Sequence, residues 1–132
     1  MTIITTCHCG ATRIELPHPP AIASECNCSF CAKTGAIWGY YRPEEVRIVS
    51  ALHDKVYSAS QGLNLHHFCA NCGGNTYGDS PDWASAYNDD GTPKDGVGGV
   101  PTQRTIGINM RLADDFDLST LTVQKMDGRN SW

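Results

Sequence analysis

At 132 residues and 14.3 kDa the chain has the length of one small domain, with little left over for a second core. A hydrophobic fraction of 40% is ordinary for a globular protein, and a charged fraction of 18% is too low for a disordered one. The net charge of −4 argues against non-specific binding to nucleic acid, and no apolar run reaches membrane-spanning length.

The first residues, Met1-Thr2-Ile3-Ile4-Thr5-Thr6-Cys7, carry neither the basic nor the apolar region of a secretion signal, so the expected compartment is the cytoplasm. Thr12, Ile14 and Leu16 alternate with Arg13 and Glu15, which predicts a strand ended by the Pro17-His18-Pro19-Pro20 run. Residues 21–25 lead into a cluster of three cysteines. Residues 37–42, with Trp38, Tyr40 and Tyr41, read as a strand stopped at Pro43. Strands follow over 46–49 and 55–59, with a turn at Gln61-Gly62, and then over 65–68 and 75–77. Two late strands are expected over 105–110 and 121–126, with one helical turn over 113–118 between them. The pattern predicts a mostly β protein with short strands and little helix, a single domain over 1–132.

Residues 79–101 break this rhythm. They hold five aspartates, three prolines and four glycines, with Trp83 and Tyr87 as the only aromatic groups. A connection this long is read either as a mobile surface loop or as a flap over a site, touching it through Trp83 or Tyr87.

Seven cysteines carry the chemistry. A reducing compartment keeps thiols free, and an odd count leaves one over in any closed disulfide set. Their spacing, Cys7-x-Cys9, Cys26-x-Cys28-x-x-Cys31 and Cys69-x-x-Cys72, suits metal ions, because two ligands on one tight turn span an edge of a tetrahedron. Joining Cys7 and Cys9 to Cys69 and Cys72 gives a closed, structural four-thiolate site. Gly10, Gly73 and Gly74 follow the ligand turns and let backbone amides face the sulfurs. Cys26, Cys28 and Cys31 then leave a fourth position open. Three thiolates make zinc a poor acid toward water and a good host for another thiol. Two other partitions stay open at this point. Cys28 and Cys31 could pair with Cys69 and Cys72 as a zinc ribbon, although the gap between the pairs is long, or they could act as a redox couple.

In order and spacing, Cys7-His8-Cys9-Gly10, Cys26-x-Cys28-Ser29-x-Cys31 and Phe68-Cys69-x-x-Cys72-Gly73 resemble the glutathione-dependent formaldehyde-activating enzyme family, whose domain centromere protein V shares. The resemblance runs from Cys7 to about Tyr77, and the terminal Trp132 is similar as well. It implies an Mss4-like, mostly β fold organised around zinc–thiolate sites, with two zinc ions per chain. The structural zinc would sit on Cys7, Cys9, Cys69 and Cys72, and the second on Cys26, Cys28 and Cys31. In the namesake enzymes glutathione and formaldehyde combine at the second site to S-hydroxymethylglutathione, a reaction classed with carbon–sulfur lyases. Two departures stand out: Asn27 occupies a place where histidine is common, and the 79–101 segment is atypical.

Around these motifs, Asn27 and Lys33 are the candidate substrate-binding residues, Asn27 through its amide and Lys33 as a cation for the carboxylates of glutathione. Arg42 and Arg104 are remoter candidates for the same charge. His8 is placed to hydrogen-bond a sulfur. His66 and His67 should face opposite ways on a strand, one packed and one in solvent. Trp38 and Tyr40 share a face read as core, with Tyr41 toward a pocket wall. The sequence thus favours an enzyme joining a small-molecule thiol to an aldehyde. The alternative is a non-catalytic zinc module that carries glutathione or binds a protein partner.

Overall fold

The computed structural model describes residues 1–132. Ten strands run along the chain as β1 (Ile3–Thr6), β2 (Thr12–Leu16), β3 (Ala23–Cys26), β4 (Trp38–Tyr41), β5 (Arg47–Ala51), β6 (Asp54–Tyr57), β7 (Leu65–Cys69), β8 (Asn75–Pro81), β9 (Arg104–Asn109) and β10 (Val123–Met126). Three short helices join them: α1 (Ser29–Thr34), α2 (Trp83–Ala86) and α3 (Gly128–Ser131). The mostly β reading holds.

The strands form two sheets. A three-stranded sheet has the order β1-β2-β5, and a seven-stranded sheet the order β10-β3-β4-β9-β8-β7-β6. Every pairing is antiparallel except β10 with β3. The alternation seen in the sequence of β2 is the reason for its orientation. Thr12, Ile14 and Leu16 are buried while Arg13 is exposed. Ile3, Ile14 and Leu16 from the small sheet pack in one cluster with Ala23, Tyr41, Tyr77, Ile106 and Ile108 from the large one.

Register assigns the two faces of the large sheet. Gly39 pairs with Ala23 and Ile108, and Tyr41 with Ile106, so these residues look into the core. Their neighbours look the other way. Ser24 pairs with Trp38, Tyr40 with Gly107, Gly107 with Gly78, and Gly78 with His66. This second face carries α1 and, beside it, the three-cysteine cluster. Tyr41 is therefore a core residue, 3% exposed with its hydroxyl donating to the His18 carbonyl at 2.9 Å, and it is Trp38 and Tyr40 that face the site. The sequence reading had these two roles reversed. Hydrophobicity ranks the three aromatic residues alike, and only the pairing register distinguishes them.

Other departures are local. Neither β1 nor α1 was expected. The helical turn expected over 113–118 is replaced by 3-10 turns at Met110–Leu112 and Leu118–Thr120, because Asp115 adopts positive φ and interrupts the helix. Residues 79–101 are partly regular: β8 extends to Pro81, α2 follows, and Tyr87 bridges Pro93. Asp90 and Asp95 close tight turns by accepting from backbone amides two and three residues on. No helix is long and apolar enough to cross a membrane.

Candidate metal and thiol centre

The seven thiols gather as four and three. Cys7, Cys9, Cys69 and Cys72 form one group and Cys26, Cys28 and Cys31 the other, the ligand atoms of each lying within 4.8 Å of one another. All seven are free thiols. The zinc-ribbon partition is excluded by this grouping, since Cys28 and Cys31 lie with Cys26 and apart from Cys69 and Cys72.

In the four-thiol group, β1 delivers Cys7 and β7 ends on Cys69, both buried. Each opens a tight turn in which a glycine amide reaches back: Gly10 to the Cys7 carbonyl at 2.9 Å and Gly73 to that of Cys69 at 2.7 Å. Both glycines hold positive φ, +80° and +77°, a conformation side chains other than glycine rarely adopt. The Thr12 amide donates to Cys7 Sγ at 3.3 Å. Sulfur separations of 3.7 Å for Cys7–Cys9 and 3.6 Å for Cys9–Cys69 approach the ~3.8 Å edge of a tetrahedron built on zinc–sulfur bonds of about 2.3 Å. Charge makes the same demand. Amides of Cys9 and Gly74 bring the Cys72 thiol down to about 6. Cys69 is pushed up to about 11, because burial and the thiols of Cys9 and Cys72 outweigh the help of the Cys72 amide. Crowded thiols that cannot all ionise together are what a divalent cation resolves. The residues fit zinc.

The three-thiol group offers one donor fewer. Cys26 ends β3, Cys28 caps α1 and Cys31 lies one turn inside it, all half-buried. The Cys28 amide donates to Cys26 Sγ, the Cys31 amide to Cys28 Sγ, and the Trp38 indole N–H to Cys31 Sγ, each at 3.4 Å. Burial raises Cys26, with the charge of Cys28 adding to it against the amides of Cys28 and Gly128. Burial likewise pushes Cys31 up to about 12 in spite of the Trp38 N–H. Cys28 falls below its ordinary value: burial opposes its charge, but the Cys31 and Phe30 amides and the flanking thiols prevail. The triad supplies three sulfur donors with their charge partly met by N–H groups, and it too fits zinc.

The C-terminus closes one side of this centre. Asn27 donates to Asp127 Oδ1 at 2.8 Å and accepts from the Arg129 amide at 2.9 Å, while Arg129 Nε reaches the Asn27 carbonyl at 3.1 Å. A Cβ on Gly128 would lie 2.8 Å from Cys26 Sγ and 2.9 Å from the Trp132 ring, so only glycine lets the turn come this close. Asn27 is thereby a clamp on α3, a task the sequence could not show because its partners lie a hundred residues away. An open groove of about 270 Å³ along Cys26, Asn27, Met126 and Asp127 borders the clamp.

The remaining candidates divide. Lys33 lies exposed in the last turn of α1 with no ion pair. Arg129, unremarked in the sequence, stands beside Asn27 and is likewise without a carboxylate partner. Arg104 is engaged by Asp79 at 2.6 Å and Arg42 by Glu44 and Glu45. His8 is exposed and bonds no sulfur. His66 and His67 do face opposite ways, but neither lies free in solvent. His67 stacks on Tyr77 at 4.1 Å and meets Asp54 at 2.8 Å, while His66 stacks on Phe30 of α1 at 3.7 Å, its buried Nδ1 unpartnered. Trp83 donates to Asn64 at 2.8 Å, tying the 79–101 segment to the loop before β7, and the Tyr87 hydroxyl donates to Gly99 at 2.7 Å within the segment, so neither touches the thiol centre. That segment reaches the far edge strand, where Asp89 accepts from Gln124 at 2.9 Å.

The family described as glutathione-dependent formaldehyde-activating enzyme matches residues 2–88. A Halomonas elongata protein named "Putative glutathione-dependent formaldehyde-activating enzyme" is 32% identical, the match covering 63% of this chain and 59% of the relative. The chain thus spans about three fifths of the length of that relative. A crystal structure of a Rhodobacter sphaeroides protein superposes with a TM-score of 0.64 and 25% identity, over 94% of this chain and 100% of the other. Since the family match covers well over half of its residues, the chain belongs to the glutathione-dependent formaldehyde-activating enzyme family.

Proposed function

We propose that the protein is a zinc-dependent enzyme of the carbon–sulfur lyase type, joining a thiol to an aldehyde and releasing it again, with glutathione and formaldehyde as substrates. The observation that carries this reading is the three-thiol centre, which is open, holds only sulfur donors and stands apart from a closed four-thiol site. We assign one zinc to each group, the four-thiol site being structural, within a single domain in the cytoplasm. Zinc held by Cys26, Cys28 and Cys31 would leave one tetrahedral position for an incoming thiol and favour its charged, nucleophilic form.

The chain's own groups set the terms of that chemistry. Trp38 and the amides of Cys28, Cys31 and Gly128 take up thiolate charge, so the triad holds its geometry without a fourth protein ligand. Lys33 and Arg129, both without carboxylate partners, flank the centre and offer cations to the two carboxylates of glutathione. Asn27 acts through the clamp, holding Arg129 and Gly128 in place.

The test is the interconversion of free and thiol-bound ¹³C-formaldehyde followed by exchange NMR. Acceleration over the spontaneous reaction by the zinc-loaded protein, and none by Cys28→Ser, is the expected result. Glutathione binding without acceleration would replace the enzyme by a glutathione-carrying module, and no binding at all would refute both.

A further inference from the structure

Beside the three-thiol centre lies a pair of hydroxyl groups that the chemistry above does not use. Tyr40 and Trp38 project from the same face of β4, and Trp38 fixes that face by its bond to Cys31 Sγ. Ser24 pairs with Trp38 across β3 and β4, and its Oγ lies 3.0 Å from the Tyr40 hydroxyl. Cys26 follows Ser24 by two residues on the same strand and face, about 7 Å along it. Both rings lie over Gly107, where an added Cβ would stand 3.4 Å from Tyr40 and 3.6 Å from Trp38. Ser24 is buried, at 4% exposed, whereas Tyr40 is 47% exposed. Burial raises the Tyr40 hydroxyl above its ordinary value, so the phenol stays protonated. A neutral phenol bonded to a buried serine, on the sheet face that carries the thiol centre, is a hydrogen-bond donor beside that centre.

We propose that Tyr40 is a catalytic residue that donates a hydrogen bond to the aldehyde oxygen, and that Ser24 is the positioning residue that orients it. This rests on the thiol–aldehyde reading. As the thiolate sulfur forms its bond to the carbonyl carbon, the π pair moves to oxygen, and Tyr40 stabilises the charge that develops there. The proton first given up by the thiol to water returns from water to that oxygen, so the product is the neutral hydroxymethyl thioether. In the reverse direction the same bond holds the departing carbonyl.

Calorimetry on the zinc-loaded full chain tests this, with three probes: glutathione, S-methylglutathione, and glutathione in excess formaldehyde. The wild type should bind the hydroxymethyl adduct about 5- to 10-fold more tightly than the S-methyl thioether, as one added hydrogen bond allows. Tyr40→Phe should abolish that preference while zinc content and affinity for glutathione itself stay within about twofold, and Ser24→Ala should reduce it in part. By exchange NMR, Tyr40→Phe should slow adduct formation about 100-fold, the scale of one oxyanion donor. Glutathione binding with no preference for the hydroxyl, or a preference that survives Tyr40→Phe, overturns the role of Tyr40 and leaves the thiol centre standing. No glutathione binding by the wild type overturns the functional reading and this inference together.

Discussion

The Gly128→Ala substitution separates the C-terminal clamp from the rest of the fold. The new methyl would stand 2.8 Å from Cys26 Sγ and 2.9 Å from two atoms of the Trp132 ring, closer than real contacts allow. Relieving such overpacking costs about 1–3 kcal/mol. Alanine returns up to about 1 kcal/mol through its better helix propensity, leaving a net cost of up to about 3 kcal/mol. Against this, α3 is docked by the Asn27–Asp127, Asn27–Arg129 amide and Arg129–Asn27 carbonyl bonds, all exposed, each adding about 0.5–1 kcal/mol. The strain and the docking energy are of similar size, so the turn should detach while the sheets stay intact. Cys26 then loses the Gly128 amide that lowers its thiol, and the three-thiol site should hold metal less firmly. In a chelator competition the variant should give up one zinc faster than wild type and retain the other unchanged. Both ions leaving at wild-type rates, or both leaving together with loss of the folded state, would refute the reasoning.

Cys69→Ser should abolish the cooperative thermal transition, because Cys69 is buried in the site that ties β1 to β7, whereas Cys28→Ser should keep the transition and lose glutathione binding by calorimetry. Gly39→Ala places a Cβ 2.8 Å from the Pro20 ring and 3.0 Å from Met110, so its melting temperature should fall by an amount equivalent to about 1–3 kcal/mol. His66 is held below its ordinary 6.5 by burial and by His67, so the fold favours its neutral form. The stability this gives is present above pH 6.5 and is lost as pH falls below it; His66→Gln should narrow the difference in urea midpoint between pH 7.5 and pH 5.5.

The two cysteine clusters were legible because their information is local. Cys-x-Cys and Cys-x-x-Cys spacings put neighbouring thiols on one turn, within four residues for each half of the four-thiol group and within six for the triad. The strands were legible for the same reason, as the alternation of Thr12, Ile14 and Leu16 shows. What stayed hidden depends on partners far away in the chain. Asn27 reads as a free amide until Asp127 and Arg129 are placed against it. Trp38, Tyr40 and Tyr41 read as three interchangeable aromatic residues until register with Asn109, Gly107 and Ile106 assigns their faces. α1 was missed since its cap is the thiol of Cys28, a residue that gives no ordinary helix-start signal. The glycine pair Gly107–Gly78, which leaves a side-chain-free strip between Tyr40 and His66, shows in sequence only as two unrelated small residues.

The central claim is that one thiol centre is closed and the other open to a substrate sulfur. X-ray absorption at the zinc edge, before and after glutathione, measures this directly. Seven cysteine sulfurs shared by two ions predict about 3.5 sulfurs per zinc without ligand, rising to about 4 when glutathione is added. A value of 4 from the outset with only one zinc per chain, or a value that glutathione leaves unchanged, would contradict the account.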